Sequence, residues 1–481
     1  MCSCDNDVTS APAGRTPRQS VRRALAAGLI AALSVLSIAP CVANDAKPGP
    51  LLKAVGAPSG LELRGSARSR LEVIDGQFRP NRATSDLLWS ARTTLFAAYK
   101  RGIVRVGGEL VDARGYGEKI NSSAGSGEID ALELSQAFAA IDLAAPFGRG
   151  TKAVVTGGRF SLDIGSGRLV GRADFPNTVN SFTGLNLDLS LSGKDRIFAF
   201  WAMPQTRLPT DTAAIQHNVV QWDRESSALQ LFGASYLRVQ LRPGVSGEIY
   251  GYRLAERDSA DAATRDRRLV TLGGRLFRAP GTGFDFDVEA AYQFGKARAT
   301  NAATDVTDLD VSAGFAHAEL GRSIKAPWAP RVSLHFDYAS GDGGKSGKLG
   351  RFDPLFGMRR ADLGPSGLYG PLSRSNLVSV GARVDVTPSN RWDGFVSVQK
   401  LWLDSASDTF SATGVRDQGA AAGRDAGVQV EGRARYWMIP KLLRFDLGAA
   451  YLGKGHFLRA ASNAAHTGDT HYLYFDAAVT F

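Results

Sequence analysis

The stretch His471-Tyr472-Leu473-Tyr474-Phe475-Asp476-Ala477-Ala478-Val479-Thr480-Phe481 alternates without a break, with Leu473, Phe475, Ala477, Val479 and Phe481 on one face. A period of two is what a strand with one apolar face requires, because successive side chains leave an extended backbone on opposite sides. The same reading extends back along the chain. In 284–295, Phe284, Phe286, Val288, Ala290, Tyr292 and Phe294 oppose Asp285, Asp287, Glu289, Ala291, Gln293 and Gly295. In 376–386, Val378, Val380, Ala382, Val384 and Val386 oppose Ser379, Gly381, Arg383 and Asp385. In 184–192, Leu185, Leu187, Leu189 and Leu191 oppose Asn186, Asp188, Ser190 and Ser192. Similar stripes occupy 331–338, 428–436 and 443–451.

One such strand fits a soluble sandwich or a membrane barrel equally well. The connections decide between them. Short ones, Lys100–Gly102, Gly193–Asp195, Arg242–Gly244, Thr387–Asn390 and Ile439–Lys441, alternate with long ones, 113–128, 164–181, 204–226, 256–267, 340–374 and 404–424. Up-and-down barrels of the outer membrane have short periplasmic turns and long extracellular loops, whereas sandwiches have no reason to alternate this way. The expected fold is therefore all-β: a transmembrane up-and-down antiparallel β-barrel of about 18 strands, from 61–73 to 470–481. The terminal aromatic strand looks like the signal that outer-membrane assembly machinery reads, which makes that machinery a partner during biogenesis. Trp89, Tyr99, Trp201, Trp392, Trp402, Tyr436, Trp437, Tyr472 and Tyr474 lie near strand ends, where interfacial girdles are expected.

The other end reads as a leader. Arg15, Arg18, Arg22 and Arg23 precede an apolar run from Ala24 to Ala39, then a small-residue site at Cys41-Val42-Ala43. That is the layout of a cleaved secretory signal peptide, and the run is too short for a spanning helix. The expected organisation is a signal peptide at 1–43, a short periplasmic segment at 44–59 and the barrel at 60–481. All three cysteines, Cys2, Cys4 and Cys41, fall in the leader, so the mature chain has neither disulfides nor thiolate metal sites. The leader carries four Arg and two Asp, so +8 of the net +10 belongs to the mature part. A basic protein at the outer membrane meets lipid, lipopolysaccharide phosphates and anionic saccharides rather than nucleic acid.

Enzyme readings find no support. None of His217, His317, His335, His456, His466 and His471 has the spacing of a metal-binding motif, and no nucleophile is singled out near His456, His466 and Asp469. Runs such as Gly341-Asp342-Gly343-Gly344 read as loop tips. No cofactor or catalytic residue is expected, and no metal ligand is singled out, a Ca²⁺ site in the acidic loops staying open without a named residue.

A wet lumen places the polar stripe inward. The alternation puts Arg64, Arg68, Arg92, Arg105, Arg159, Arg238, Arg275, Arg331, Arg383, Arg433, Arg435 and Arg444 there. Of these, Arg64, Arg68, Arg92, Arg105, Arg159, Arg383, Arg433 and Arg435 are the candidate anion-selectivity residues. Arg is always charged and grips carboxylates through two hydrogen bonds, and a low-dielectric wall focuses its field into the pore. The same faces carry Glu62, Glu109, Asp188, Asp285, Asp287, Glu289, Asp337, Asp385, Glu431, Asp446 and Asp476, so each arginine is either a selectivity residue or a brace. Arg383 with Asp385, and Arg444 with Asp446, have the spacing of braces.

Gly158-Arg159-Phe160-Ser161-Leu162, Gly165 to Gly171, Phe175-Pro176-Asn177-Thr178 and Ser181-Phe182-Thr183-Gly184 together resemble the alginate-export family of outer-membrane barrels. Phe352 to Gly357 with Arg374 to Leu377, and Gly453 to Phe457, resemble its late and last loops. Phe160 stands where the family commonly has Gln. The resemblance implies an outer-membrane transport barrel; with the basic lumen face, and no energy-coupling box before residue 60, the expectation is a monomeric channel for passive passage of an anionic polysaccharide or sugar acid, gated by long loops, 340–374 above all. A general diffusion porin with weak anion preference and a plugged adhesion barrel are the alternatives.

Overall fold

The computed structural model describes residues 59–191, 195–259, 263–281 and 283–481. The expected leader and the 44–59 segment, except its last residue, lie outside the described residues. The alternating stretches are strands: β1 (Leu61–Asp75), β2 (Ser85–Arg101), β3 (Val104–Tyr116), β4 (Asp130–Ala144), β5 (Lys152–Phe160) and β6 (Phe182–Ser190). Next come β7 (Arg196–Pro204), β8 (Leu229–Arg242), β9 (Val245–Glu256), β10 (Arg268–Arg278), β11 (Gly283–Ala297) and β12 (Leu309–Ser323). The last group is β13 (Arg331–Ala339), β14 (Lys348–Leu349), β15 (Leu377–Ser389), β16 (Trp392–Trp402), β17 (Asp425–Ile439), β18 (Leu443–Lys454) and β19 (Thr470–Thr480).

Apart from β14, a two-residue stretch running parallel to β12, each strand pairs antiparallel with its sequence neighbour, and β1 pairs with β19. The result is a closed barrel of 18 strands, the number the alternation indicates. Closure leaves no open edge, which lipid requires of any sheet. At the seam the Gly65 N–H donates to the Phe481 carbonyl at 3.1 Å. A Cβ at Gly65 would lie 2.1 Å from the Phe481 ring, so only glycine admits that aromatic against β1.

The faces are inside-out relative to a soluble protein. Leu334 on β13 is 60% exposed, while its neighbours Ser333 and His335 are buried. Val380 and Val384 on β15, and Phe284, Val288 and Tyr292 on β11, are exposed, while Ser379, Asp285 and Glu289 are buried. Apolar out and polar in is the pattern of a membrane barrel. Trp392 stacks on Tyr436 with ring centroids 4.6 Å apart where β16 and β17 meet the 390–391 turn, consistent with an interfacial pair. Tyr472 and Tyr474 depart from expectation. Both are buried on the lumen face, Tyr472 donating to Glu72 at 2.6 Å and Tyr474 lying 5.4 Å beneath the Arg70 guanidinium. Their parity matches Asp476, so alternation, not nearness to a strand end, fixes their side.

The tight connections, such as 102–103, 243–244 and 390–391, share one end of the barrel, and the long ones share the other. Helical turns α1 (Thr212–Gln216), α2 (Arg360–Leu363) and α3 (His456–Ala460) all sit in long loops. No helix among the described residues is long and apolar enough to cross a membrane. Two apolar clusters line the inside, where loop residues pack on inward side chains. One joins Phe78, Leu368, Tyr369, Phe410 and Phe457 to Tyr472 and Tyr474. The other joins Leu162, Val170 and Phe352 to Phe182, Tyr250 and Phe315.

Candidate functional site

Two loops fold into the barrel and meet. The 161–181 loop runs from β5 to β6, and the 340–376 loop from β13 to β15. They cross in a parallel bridge between Val170 and Phe356. Gly171 donates its N–H to the Phe356 carbonyl at 3.1 Å, and Met358 to the Gly167 carbonyl at 2.9 Å. A Cβ at Gly357 would stand 1.8 Å from the Arg168 carbonyl, so this crossing requires glycine.

Arg168 is the hub. Its guanidinium reaches Asp362 on α2 at 2.8 Å, Glu289 on β11 at 2.7 Å and Asp287 at 3.1 Å. Arg374 grips the same Asp362 and also the Met358 carbonyl. Burial alone would raise the Asp362 carboxyl, but Arg168 and Arg374 outweigh it and hold it well below the usual carboxylate range. Burial likewise disfavours the Arg168 cation, and its three carboxylates reverse that. The rest of the 340–376 loop is tied to inward faces of the wall. Arg360 pairs with Glu431 at 2.6 Å, Gln399 donates to the Asp362 carbonyl at 2.8 Å, and the Tyr369 hydroxyl donates to Gln429 at 2.9 Å.

The 161–181 loop is held by arginines of β1 and β2. Arg68 donates to the Phe175 and Pro176 carbonyls at 3.1 and 2.8 Å, and Arg92 to the Asp174 carbonyl at 3.2 Å. Arg70 donates to the Phe175 carbonyl at 2.8 Å, forms a bidentate pair with Asp476 at 2.5 and 2.9 Å, and stacks on the Phe175 ring. Arg172, within the loop, clasps Glu109 on β3 at 2.7 and 3.0 Å.

The remaining candidate arginines form pairs. Arg64 meets Glu62 at 2.9 Å, Arg105 meets Asp142 at 3.2 Å, and Arg383 meets Asp385 at 2.7 Å while covering Phe395. Arg435 meets Asp446 at 2.6 Å, Arg444 meets the same Asp446 at 3.1 Å, and Arg433 pairs with Asp393. Arg159 binds Glu133 on β4 and, at 2.9 Å, Glu225 of the 205–228 loop. Among the eight, only Arg68 has no carboxylate partner within the described residues. Sequence reasoning left out Arg70, Arg168, Arg172, Arg360 and Arg374. Arg70 shares the parity of Arg68 and was legible. The others lie in loops, where alternation carries no information.

One further loop cation differs from all of these. Arg359 is exposed and takes part in no ion pair among the described residues. Even so, desolvation is the largest influence on it and lowers its pKa, with Glu128 opposing and Arg374 and Arg207 adding. Its side chain is solvent-exposed yet closely surrounded by other groups of the protein. Asp174, 58% exposed, is similar: enclosure would raise its carboxyl, but Arg172 and Arg92 hold it below the ordinary value.

A closed barrel with an apolar outer face, alternating connections and loops folded into its lumen is an outer-membrane channel. The family model described as "Alginate export" matches residues 60–470, and the chain belongs to that family. No curated protein sequence matches it. Among solved structures, OpdL of Pseudomonas aeruginosa is similar at a TM-score of 0.54 and 14% identity, over 88% of this chain and 99% of that one. OccAB4 of Acinetobacter baumannii is similar at 0.53 and 13%, over 88% and 98%. OccK2 (OpdF) of Pseudomonas aeruginosa, solved in complex with glucuronate, is similar at 0.52 and 10%, over 88% and 99%. At such identities these likenesses establish the fold alone.

Proposed function

We propose that the channel passes an anionic polysaccharide or sugar acid by passive diffusion along guanidinium groups at the loop constriction and its mouth. The observation that carries this reading is Arg359, a wetted cation without an ion pair, carried on the loop that narrows the lumen. Arg79 and Arg207 lie near it and direct their guanidinium groups to carbonyl and amide oxygens rather than carboxylates. Below the constriction, Arg433, Arg435 and Arg444 stand around Asp393 and Asp446, three cations against two anions. An enclosed path with surplus positive charge draws anions and slows cations. Of the eight candidate selectivity residues, Arg433 and Arg435 keep that role in this reading, and Arg64, Arg105 and Arg383 act as braces. Family membership and the glucuronate complex of one structural neighbour support a uronate-like cargo. The channel works as a single chain, in contact with lipid and lipopolysaccharide and inserted by the barrel-assembly machinery.

Planar-bilayer recording tests the reading. Single channels should be open, and polyuronate added to one side should block them. Open channels that polyuronate leaves untouched would make the protein a general diffusion porin. Channels that stay closed would favour a plugged barrel.

A further inference from the structure

We propose that Asp130, Glu133 and Asp223 form a divalent-cation site, suited to Ca²⁺, that fastens the 205–228 loop to the extracellular end of β4. Asp130 and Glu133 belong to the first turn of pleat of β4, and Asp223 belongs to the loop. One carboxylate oxygen from each lies within 4.8 Å of the other two. Oxygens that surround Ca²⁺ at about 2.3–2.6 Å are separated by at most about twice that radius, so the spacing suits a shared ion. All three residues are buried, Asp130 to 4% exposure, and Oδ1 of Asp130 has no hydrogen-bond partner. A buried carboxylate oxygen without a donor is costly, and a cation at the focus of the three groups removes that cost.

Charge points the same way. Glu133 is neutralised by Arg159, which Glu225 shares. Neither Asp130 nor Asp223 has an ion pair among the described residues, and the nearby Arg207 directs its guanidinium to the Val179 carbonyl and Asn180. Two carboxyl groups remain without a cationic partner, which one divalent ion would match. With oxygen ligands only, the set suits a hard cation rather than zinc or copper. Ca²⁺ tolerates an irregular shell of carboxylates, whereas Mg²⁺ demands near-octahedral geometry and keeps its water. The frame is already assembled: the Asp223 N–H donates to Glu133 at 2.7 Å, and the Leu208 N–H donates to Asp223 at 2.8 Å. The same loop docks on β3 through Asn218, which bonds both the N–H and the carbonyl of Gly115. The ion would complete a clasp between this loop and the barrel rim.

Trp222, next to Asp223, is a built-in antenna for Tb³⁺, a luminescent stand-in for Ca²⁺. Full-length protein in detergent, excited at its tryptophans, should show saturable Tb³⁺ emission that Ca²⁺ displaces more effectively than Mg²⁺. Asp223→Asn and Asp130→Asn should each weaken binding by about tenfold or more. Trp222→Phe should abolish the emission but keep Ca²⁺ binding by calorimetry. Hydrogen exchange on the unaltered protein gives a readout independent of variant folding: Ca²⁺ should slow exchange across 205–224. Emission unchanged in both Asn variants, Mg²⁺ equal to Ca²⁺, or exchange indifferent to Ca²⁺ would each overturn the proposal.

Discussion

The lumen holds arginine in two kinds of place, and the residues do different work there. Near the tight-turn end, Arg64, Arg105, Arg433, Arg435 and Arg444 meet carboxylates of their own or adjacent strands. Farther toward the long-loop end, Arg68, Arg70 and Arg92 reach a segment 82 to 108 residues away, the backbone at 174–176. The first kind follows from strand register, since the partner lies two residues along, directly across or two residues off on the adjacent strand. The second kind depends on where a distant loop settles. Identical chemistry on the same alternating face thus pairs along the sheet in one region, leaving a cation in surplus around Asp393 and Asp446, and holds a distant loop in the other.

The largest expected effect comes from removing the anchor. Arg168→Ala leaves Asp362, Glu289 and Asp287 without their shared cation, and breaking such a buried cluster costs about 3–5 kcal/mol. The loops should detach while the barrel persists, so single-channel conductance should rise and proteolysis within 340–376 should accelerate. If both stay at the unaltered level, the clasp does not set the constriction. In the wall, Leu334→Arg should destabilise the barrel in vesicles by about 2–4 kcal/mol, because a charge would face lipid near mid-strand. Ser190→Arg, at an exposed strand end, should cost far less. Ser379, on the same inward face, is fully buried and would not serve as a wet-side control. Equal costs at Leu334 and Ser190 would refute the assigned faces.

A smaller effect concerns pH. Glu128, in the 117–129 loop, is raised by burial to about 7, with Glu72 adding and Arg79 and Arg207 opposing. A carboxyl raised in the docked state stabilises docking at pH below its ordinary value of 4.5 and loses that contribution as pH climbs through about 7. Hydrogen exchange across 117–129, corrected for intrinsic rates, should therefore quicken between pH 5 and pH 8, and Glu128→Gln should flatten the change. The smallest effect is expected at the loop tip: Lys345→Glu with Lys348→Glu should alter entry rates at low salt and little else, because exposed charges are screened over about 8 Å at physiological ionic strength.

Sequence and structure agree most closely where the physics is local. Alternation assigned the outward faces of β6, β11 and β15 correctly, and the rhythm of short and long connections indicated a barrel and its strand number. Agreement ends where contacts are long-range. Arg68 and Arg92 were read as pore lining, yet both are buried under the 161–181 loop. The 340–374 segment was expected to fold inward, but its equal partner, 161–181, was read only for its resemblance to a family motif. Gly167-Arg168 and Gly357 make that crossing possible, and nothing in a period of two marks them. Tyr472 and Tyr474 show the opposite case: alternation puts them inward, where they are buried, and nearness to a strand end does not bring them to the interfacial girdle.

Surplus guanidinium charge along an enclosed path is what, in the function we propose, makes this channel favour anions. Its most direct test is the reversal potential of single channels in a planar bilayer under a KCl gradient. The unaltered protein should favour chloride over potassium. Arg359→Glu, and separately Arg433→Glu with Arg435→Glu, should each lower the chloride-to-potassium permeability ratio several-fold in protein that still folds and conducts. A reversal potential that favours potassium in the unaltered protein, or one that neither change moves, would contradict the account.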